Sequence, residues 1–152
     1  MGRLENILKD GGSQIDVMKK IVKNEEEMIR LGERIAEDIV LPGCVQLVGD
    51  VGAGKTTFTK GMARKLGVSE EITSPSFTIS KRYETRGRSL VHYDFYRLDE
   101  IGIMAEELDE TLSEENTLVV VEWANEAEEI LPEDRMIIKI KYLEDGTREV
   151  EW

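Results

Sequence analysis

At 152 residues the chain is long enough for one domain and short for two. It carries 20 Lys and Arg against 32 Asp and Glu, a net charge of −12 that repels phosphate backbones and excludes stand-alone nucleic-acid binding through a basic face. One cysteine, Cys44, and one histidine, His92, exclude an internal disulfide, a cysteine-based zinc site and a multi-histidine metal site. With no apolar run near the ~20 residues of a membrane helix and no signal pattern at Met1–Glu5, the expectation is a soluble, acidic domain of cytoplasmic type.

Residues 1–19 read as a flexible N-terminal extension or remnant, with Gly11-Gly12-Ser13 linker-like and a short docking helix over Leu4–Lys9 as the alternative. The domain proper is expected over 20–152. Lys20–Lys23 suits a short strand. Asn24 is placed to cap a helix whose first turn is Glu25-Glu26-Glu27, acids at the positive helix end. Met28, Leu31, Ile35 and Ile39 follow at helical spacing and carry that helix to about Val40. Val45–Val48 is a short buried strand, Gly49–Gly54 a glycine-rich loop, and Thr56–Leu66 a helix ended by Gly67.

Beyond the Ser74–Ser76 loop, Phe77–Tyr83 and Ser89–Tyr93 read as strands around a turn at Arg86-Gly87. Glu100–Leu112 reads as an acidic helix and Thr117–Val121, the most apolar run, as a central strand. Asn125–Leu131 is a short helix stopped by Pro132. Met136–Tyr142 and Thr147–Trp152 flank Asp145-Gly146, a hairpin signal. The order predicts an α/β fold: three layers of the P-loop NTPase type, a mainly parallel sheet, antiparallel edge strands and a C-terminal hairpin.

Gly49-Asp50-Val51-Gly52-Ala53-Gly54-Lys55-Thr56 fits G-x-x-x-x-G-K-[ST]. A random chain this long matches about once in 200, and here the motif lies between a buried strand and a helix. Its glycines let backbone N–H groups converge on phosphates, and the helix end behind them adds positive potential. Lys55 reaches the β- and γ-phosphates, and the Thr56 hydroxyl ligates magnesium.

Such a loop needs a carboxylate nearby. Glu122 ends the apolar run 118–121 and Asp94 ends the run 90–93, and strand ends of open α/β sheets line the ligand crevice. Glu122 follows the more apolar run, which places it beside the P-loop strand, in the metal shell through a water. Asp94, next to Tyr96 and Arg97, suits a loop that positions the attacking water. His92 reads either as a proton carrier or as a packed, hydrogen-bonded histidine. Arg97 pairs with a carboxylate, approaches the γ-phosphate, or is a solvated surface arginine. Ser74-Pro75-Ser76-Phe77 is either a γ-phosphate-sensing loop or a plain turn. Trp123 beside Glu122 is consistent with core packing.

Gly49–Thr57, Ser74-Pro75-Ser76-Phe77, His92-Tyr93-Asp94-Phe95-Tyr96-Arg97-Leu98 and Val121-Glu122-Trp123 occur in that order. Together they closely resemble the bacterial TsaE/YjeE family, the ATPase subunit of tRNA threonylcarbamoyladenosine (t6A) biosynthesis, over about residues 21–152. One departure is Ser76 where the family has threonine in Ser-Pro-Thr-Phe. It keeps the hydroxyl and loses the methyl.

The resemblance implies ATP and Mg2+ as ligands. It implies slow ATP hydrolysis stimulated by the TsaD–TsaB heterodimer, which the ATPase resets between rounds without performing the transfer to tRNA. tRNA is then met only through the complex. On this reading Asp94, Lys55 and Glu122 are catalytic. Asp50, Val51, Gly52, Ala53, Gly54, Lys55, Thr56, Thr57 and Ser76 bind nucleotide, and Thr56 and Glu122 serve the metal. Ser74, Pro75, Phe77, His92, Tyr96, Arg97 and Trp123 form the switch and partner region.

Three rivals stand beside it. A P-loop kinase needs an acceptor site and an arginine-bearing lid, and no arginine-rich segment follows the central strands. A GTPase needs Asn-Lys-x-Asp, which is absent. A non-enzymatic module in which ATP only orders switch loops shares every P-loop residue with the ATPase and is separated from it only by turnover.

Overall fold

The computed structural model describes residues 17–75, 77–98 and 100–152, together with the backbone of Glu5–Ile7. Ser76 and the Gly11-Gly12-Ser13 stretch lie outside the described residues. In chain order the elements are β1 (Glu5–Ile7), β2 (Val17–Val22), α1 (Glu25–Ala36), β3 (Gly43–Val48), α2 (Lys55–Leu66), β4 (Ser80–Thr85), β5 (Arg88–Asp94), α3 (Ile103–Leu112), β6 (Thr117–Glu122), a 3-10 turn (Asn125–Glu129), β7 (Met136–Tyr142) and β8 (Arg148–Glu151).

The strands form one sheet in the order β1-β2-β8-β7-β3-β6-β5-β4. Its centre, β7-β3-β6-β5, is parallel. β4 on one flank and β8, β2 and β1 on the other run antiparallel to their neighbours. The expected mainly parallel centre with antiparallel edges and a C-terminal β7–β8 hairpin is therefore present.

Alternation along the strands sorts side chains into two cores. Leu118 and Val120 of β6 join Met28 and Leu31 of α1 and Phe58 and Met62 of α2 on one face. Val119 and Val121 join Tyr93, Leu108 of α3 and Ala127 on the other. All six residues of β6 are buried. A strand with helices above and below has no solvent face, which is why this run reads as continuously apolar.

α1 begins as its sequence requires. Asn24 Oδ1 accepts from the Glu27 amide at 2.9 Å, and Glu27 reaches back to the Lys23 amide at 2.8 Å. This cap is worth about 1 kcal/mol. The helix ends at Ala36 rather than near Val40. The amides of Asp38 and Ile39 bond three residues back, to Ile35 and Ala36, so the chain tightens out of the helix while Ile39 still packs on the core. Hydrophobic spacing thus outlasts the helix. α1 and α2 cross backbone to backbone: a Cβ on Gly61 would strike the Ile29 carbonyl, and one on Gly32 the Phe58 carbonyl.

Four further boundaries move. β2 begins at Val17, inside the stretch read as an extension, and Glu5–Ile7 pairs with it as a strand, not as part of a helix over Leu4–Lys9. β4 starts at Ser80 because Pro75 opens a turn in which the amides of Thr78 and Ile79 both bond its carbonyl. α3 starts at Ile103, after Gly102 at φ +44°. The helix expected over Asn125–Leu131 is the shorter 3-10 turn. Among the described residues no helix is long and apolar enough to cross a membrane.

Candidate functional site

The C-terminal ends of β3, β5 and β6 open into a cavity of about 510 Å³, lined by the glycine loop, the start of α2, Asp94, Tyr96, Arg97, Glu122 and Trp123. β6 lies directly beside β3, and β5 beyond it, so Glu122 is the carboxylate nearer the P-loop strand, as its more apolar run implied. Asp94 and Glu122 stand opposite one another in the parallel register. Both are nearly buried, at 5% and 3% exposure.

The loop's shape follows from its glycines. A Cβ on Gly49 would come within 2.6 Å of the Ile140 carbonyl of β7, so only glycine can leave β3 here. Gly54 sits at φ +114°, and a Cβ there would meet Met28 Cε at 3.1 Å. Behind it α2 begins at Lys55 with no acid in its first turn, leaving its positive end unopposed. Val51 projects from the loop tip and Ala53 is buried. Thr56 and Thr57 line the cavity, whereas Asp50 and Ala53 support the loop outside its described lining.

Lys55 is the hub. Its ammonium donates to the Gly49 carbonyl at 2.5 Å, lies 3.8 Å from Glu122 Oε1 and 4.1 Å from the centre of the Trp123 ring. Burial pushes its pKa below the usual lysine value, and the carboxylates of Glu122, Asp94 and Asp50 oppose that shift. Trp123 is more than core. Its backbone sits at φ +52°, a strained conformation for a bulky residue, and its ring packs tilted against Tyr96 with centroids 4.9 Å apart.

The 92–97 segment divides. His92 is wholly buried, with Nε2 2.5 Å from Glu122 Oε2. It is a packed, hydrogen-bonded histidine, because β5 is covered on both faces. Asp94 Oδ1 accepts from the Tyr96 amide at 2.9 Å, which turns the chain outward, and Tyr96 is half exposed. Arg97 stacks over the Phe77 ring at 4.6 Å, tying the two loops together. Phe77 itself is 83% exposed. Ser74 lines the cavity, and Pro75 shapes the turn that leads to Ile79 at φ +69°, whose carbonyl accepts from the Asp94 amide.

Sequence reasoning missed the far wall. Asn24, Glu25 and Met28 of α1 and Arg148 of β8 also line the cavity. Arg148 Nε donates to the Ala53 carbonyl at 2.8 Å and Nη2 to Gly52 at 3.4 Å, with the guanidinium stacked on Tyr142. Arg148 is 95 residues from Ala53 and belongs to no motif. Only the adjacency of β7 to β3 brings its hairpin to the loop. Among the described lining residues Lys55, Arg97 and Arg148 balance Glu25, Asp94 and Glu122, a local exception in a chain of net charge −12.

A family model described as "Threonylcarbamoyl adenosine biosynthesis protein TsaE" matches residues 22–150. The chain belongs to the TsaE family. The Bacillus subtilis (strain 168) protein named "tRNA threonylcarbamoyladenosine biosynthesis protein TsaE" is 46% identical over 111 residues, covering 72% of this chain and 68% of that one. The Aquifex aeolicus protein of the same name is 32% identical over 139 residues, covering 90% and 96%. The crystal structure of Bacillus subtilis YdiB superposes with a TM-score of 0.75 at 35% identity, covering 92% of this chain and 86% of that one. Membership of TsaE accounts for the order of motifs along the chain, and the P-loop-like fold is shared with that structure.

Proposed function

We propose that this TsaE-family chain is an ATP-binding and ATP-hydrolysing subunit of the t6A machinery that regulates the TsaD–TsaB heterodimer. The observation that carries the reading is one cavity holding the glycine loop, Lys55 and two buried strand-end carboxylates, Asp94 and Glu122.

The parts divide the work. The glycine loop and the start of α2 bind the phosphates, and Lys55 neutralises the β- and γ-phosphates. Arg148, bonded to the loop's outer carbonyls, keeps its N–H groups turned inward. Asp94 orients the attacking water. As that water adds to the γ-phosphorus, the bond to the bridging oxygen breaks and ADP leaves with inorganic phosphate.

The residues fit Mg2+. Among the described residues no cluster of three His, Cys, Asp or Glu could hold a metal alone. Mg2+ keeps several waters and uses one or two protein ligands plus phosphates, which Thr56 and, through a water, Glu122 would supply. Bound there, the ion neutralises charge on the phosphate oxygens.

Partner contact falls to exposed side chains around the mouth, Phe77 and Thr78 on one loop and Tyr96 and Arg97 on the other. Phe77 and Tyr96 are large aromatics presented to solvent beside the site. An acidic chain suits a protein partner better than direct tRNA binding.

The test is ATP hydrolysis by the chain alone and with the TsaD–TsaB pair. Slow turnover that rises with the pair supports the reading. No ATP binding overturns it, and binding without turnover in the presence of the pair favours the non-enzymatic module.

A further inference from the structure

We infer that His92 is a positioning residue that holds the Glu122 carboxylate back from Lys55. The inference rests on the reading of Glu122 as a working carboxylate of the nucleotide site.

β5 alternates. Val91 and Tyr93 enter the core beneath α3, so His92 and Asp94 face the other way, toward α2 and the cavity. His92 is fully buried, and among the described residues its one polar contact is Nε2 to Glu122 Oε2, 2.5 Å. Nδ1 has no partner among those residues. A buried N–H without an acceptor costs more than a bare ring lone pair, so the imidazole carries its proton on Nε2 and donates it to Glu122. Leucine would pack here without leaving a polar atom unmet. The ring therefore serves one carboxylate oxygen.

The consequence lies on the other oxygen. Glu122 Oε1 is 3.8 Å from Lys55 Nζ, an ion pair at arm's length. With Oε2 held by His92, the carboxylate cannot swing onto the ammonium. Lys55 then keeps its donors for the glycine loop and for phosphate. Without the His92 donor, Glu122 loses its anchor, and the nearest cation is Lys55. A closed Lys55–Glu122 pair competes with phosphate for the same ammonium.

The experiment combines conservative rescue, a double-mutant cycle and the histidine's own resonances. His92→Met fills the volume with no donor, and His92→Gln restores an N–H near the Nε2 position. ATP affinity is measured by calorimetry in each, and again in a Glu122→Gln background. His92→Met is expected to weaken ATP binding about tenfold, the scale of one hydrogen bond to a charged group. His92→Gln should recover most of that loss, and His92→Met should add nothing once Glu122 is Gln. Unchanged affinity in His92→Met, equal loss in Met and Gln, or additive effects with Glu122→Gln would each overturn the inference.

The chain has one histidine, so 15N labelling of that residue yields a single imidazole. The free wild-type protein is expected to show a proton on Nε2 whose resonance moves in Glu122→Gln. A ring protonated on Nδ1, or one blind to Glu122→Gln, overturns the inference even if the Met variant fails to fold. This arm needs no nucleotide, so a chain that binds no ATP refutes the proposed function while His92 is still judged by its resonances.

Discussion

The Lys55 ammonium lies beneath the Trp123 indole, 4.1 Å from its centre, while donating to the Gly49 carbonyl. A cation placed between an aromatic face and a backbone carbonyl is desolvated before any phosphate arrives. That spends part of the desolvation cost of nucleotide binding at folding.

Lys55→Ala removes this cation. Charged hydrogen bonds to a buried anion are worth about 1.5–3 kcal/mol each, so ATP affinity is expected to fall at least tenfold. Circular dichroism should report an intact fold, because the core around Phe58 and Met62 is untouched. Calorimetry showing unchanged affinity would refute the P-loop assignment.

Glu122→Gln and Asp94→Asn separate the two carboxylates. Glutamine still accepts from His92 through its amide oxygen, so its effect is confined to charge. It is expected to raise the magnesium concentration needed for ATP binding. Asp94→Asn should bind ATP like the wild type and lose most turnover in the presence of TsaD–TsaB. Titrating Mg2+ in binding and hydrolysis assays distinguishes the two, and exchanged phenotypes would reverse the roles assigned to these acids.

Arg148→Ala removes the two hydrogen bonds to Ala53 and Gly52 and the stack on Tyr142. The glycine loop loses its outer anchor. Nucleotide affinity should fall about 5- to 30-fold, the scale of one or two charge-assisted bonds. Arg148→Lys should rescue poorly, since an ammonium cannot reproduce the forked contact. Full activity in the lysine variant would show that only charge matters at this position.

Cys44 supplies a pH prediction. Burial pushes its thiol up to about 12 from the ordinary 9.0. A folded-state value above the unfolded one stabilises the fold fully below pH 9, and that contribution is lost as pH rises toward 12. Thermal melts of wild type and Cys44→Ala should therefore converge across that window. At pH 8 the native thiol should resist alkylation and react promptly in denaturant. Fast native labelling would contradict its burial.

The legible parts of this protein are those written in contiguous residues. The glycine loop, the Asn24 cap and the two carboxylates at strand ends are local patterns. Even the placement of β6 beside β3 follows from composition, because the most apolar run takes the most covered position. The illegible parts are made by register between distant strands. Arg148 reaches the loop because β7 pairs with β3 and turns back through β8. His92 meets Glu122 because β5 and β6 run parallel with Asp94 opposite Glu122, which sets His92 one alternation away. Phe77 misled for a different reason: its alternation with Ile79 mimics a strand, but Pro75 and the left-handed Ile79 make a turn.

The bare backbone crossing at Gly32 and Gly61 has a mechanical meaning. α1 brings Asn24 and Met28 to the cavity, and α2 brings Lys55 and Thr56. With carbonyl pressed against Cα at their crossing, neither helix can slide or roll without collision. One jaw of the site is thus a fixed anvil. Any movement that reports what the site holds must come from the opposite jaw, where Arg97 lies over Phe77 and Tyr96 packs against the Trp123 ring that covers the Lys55 ammonium.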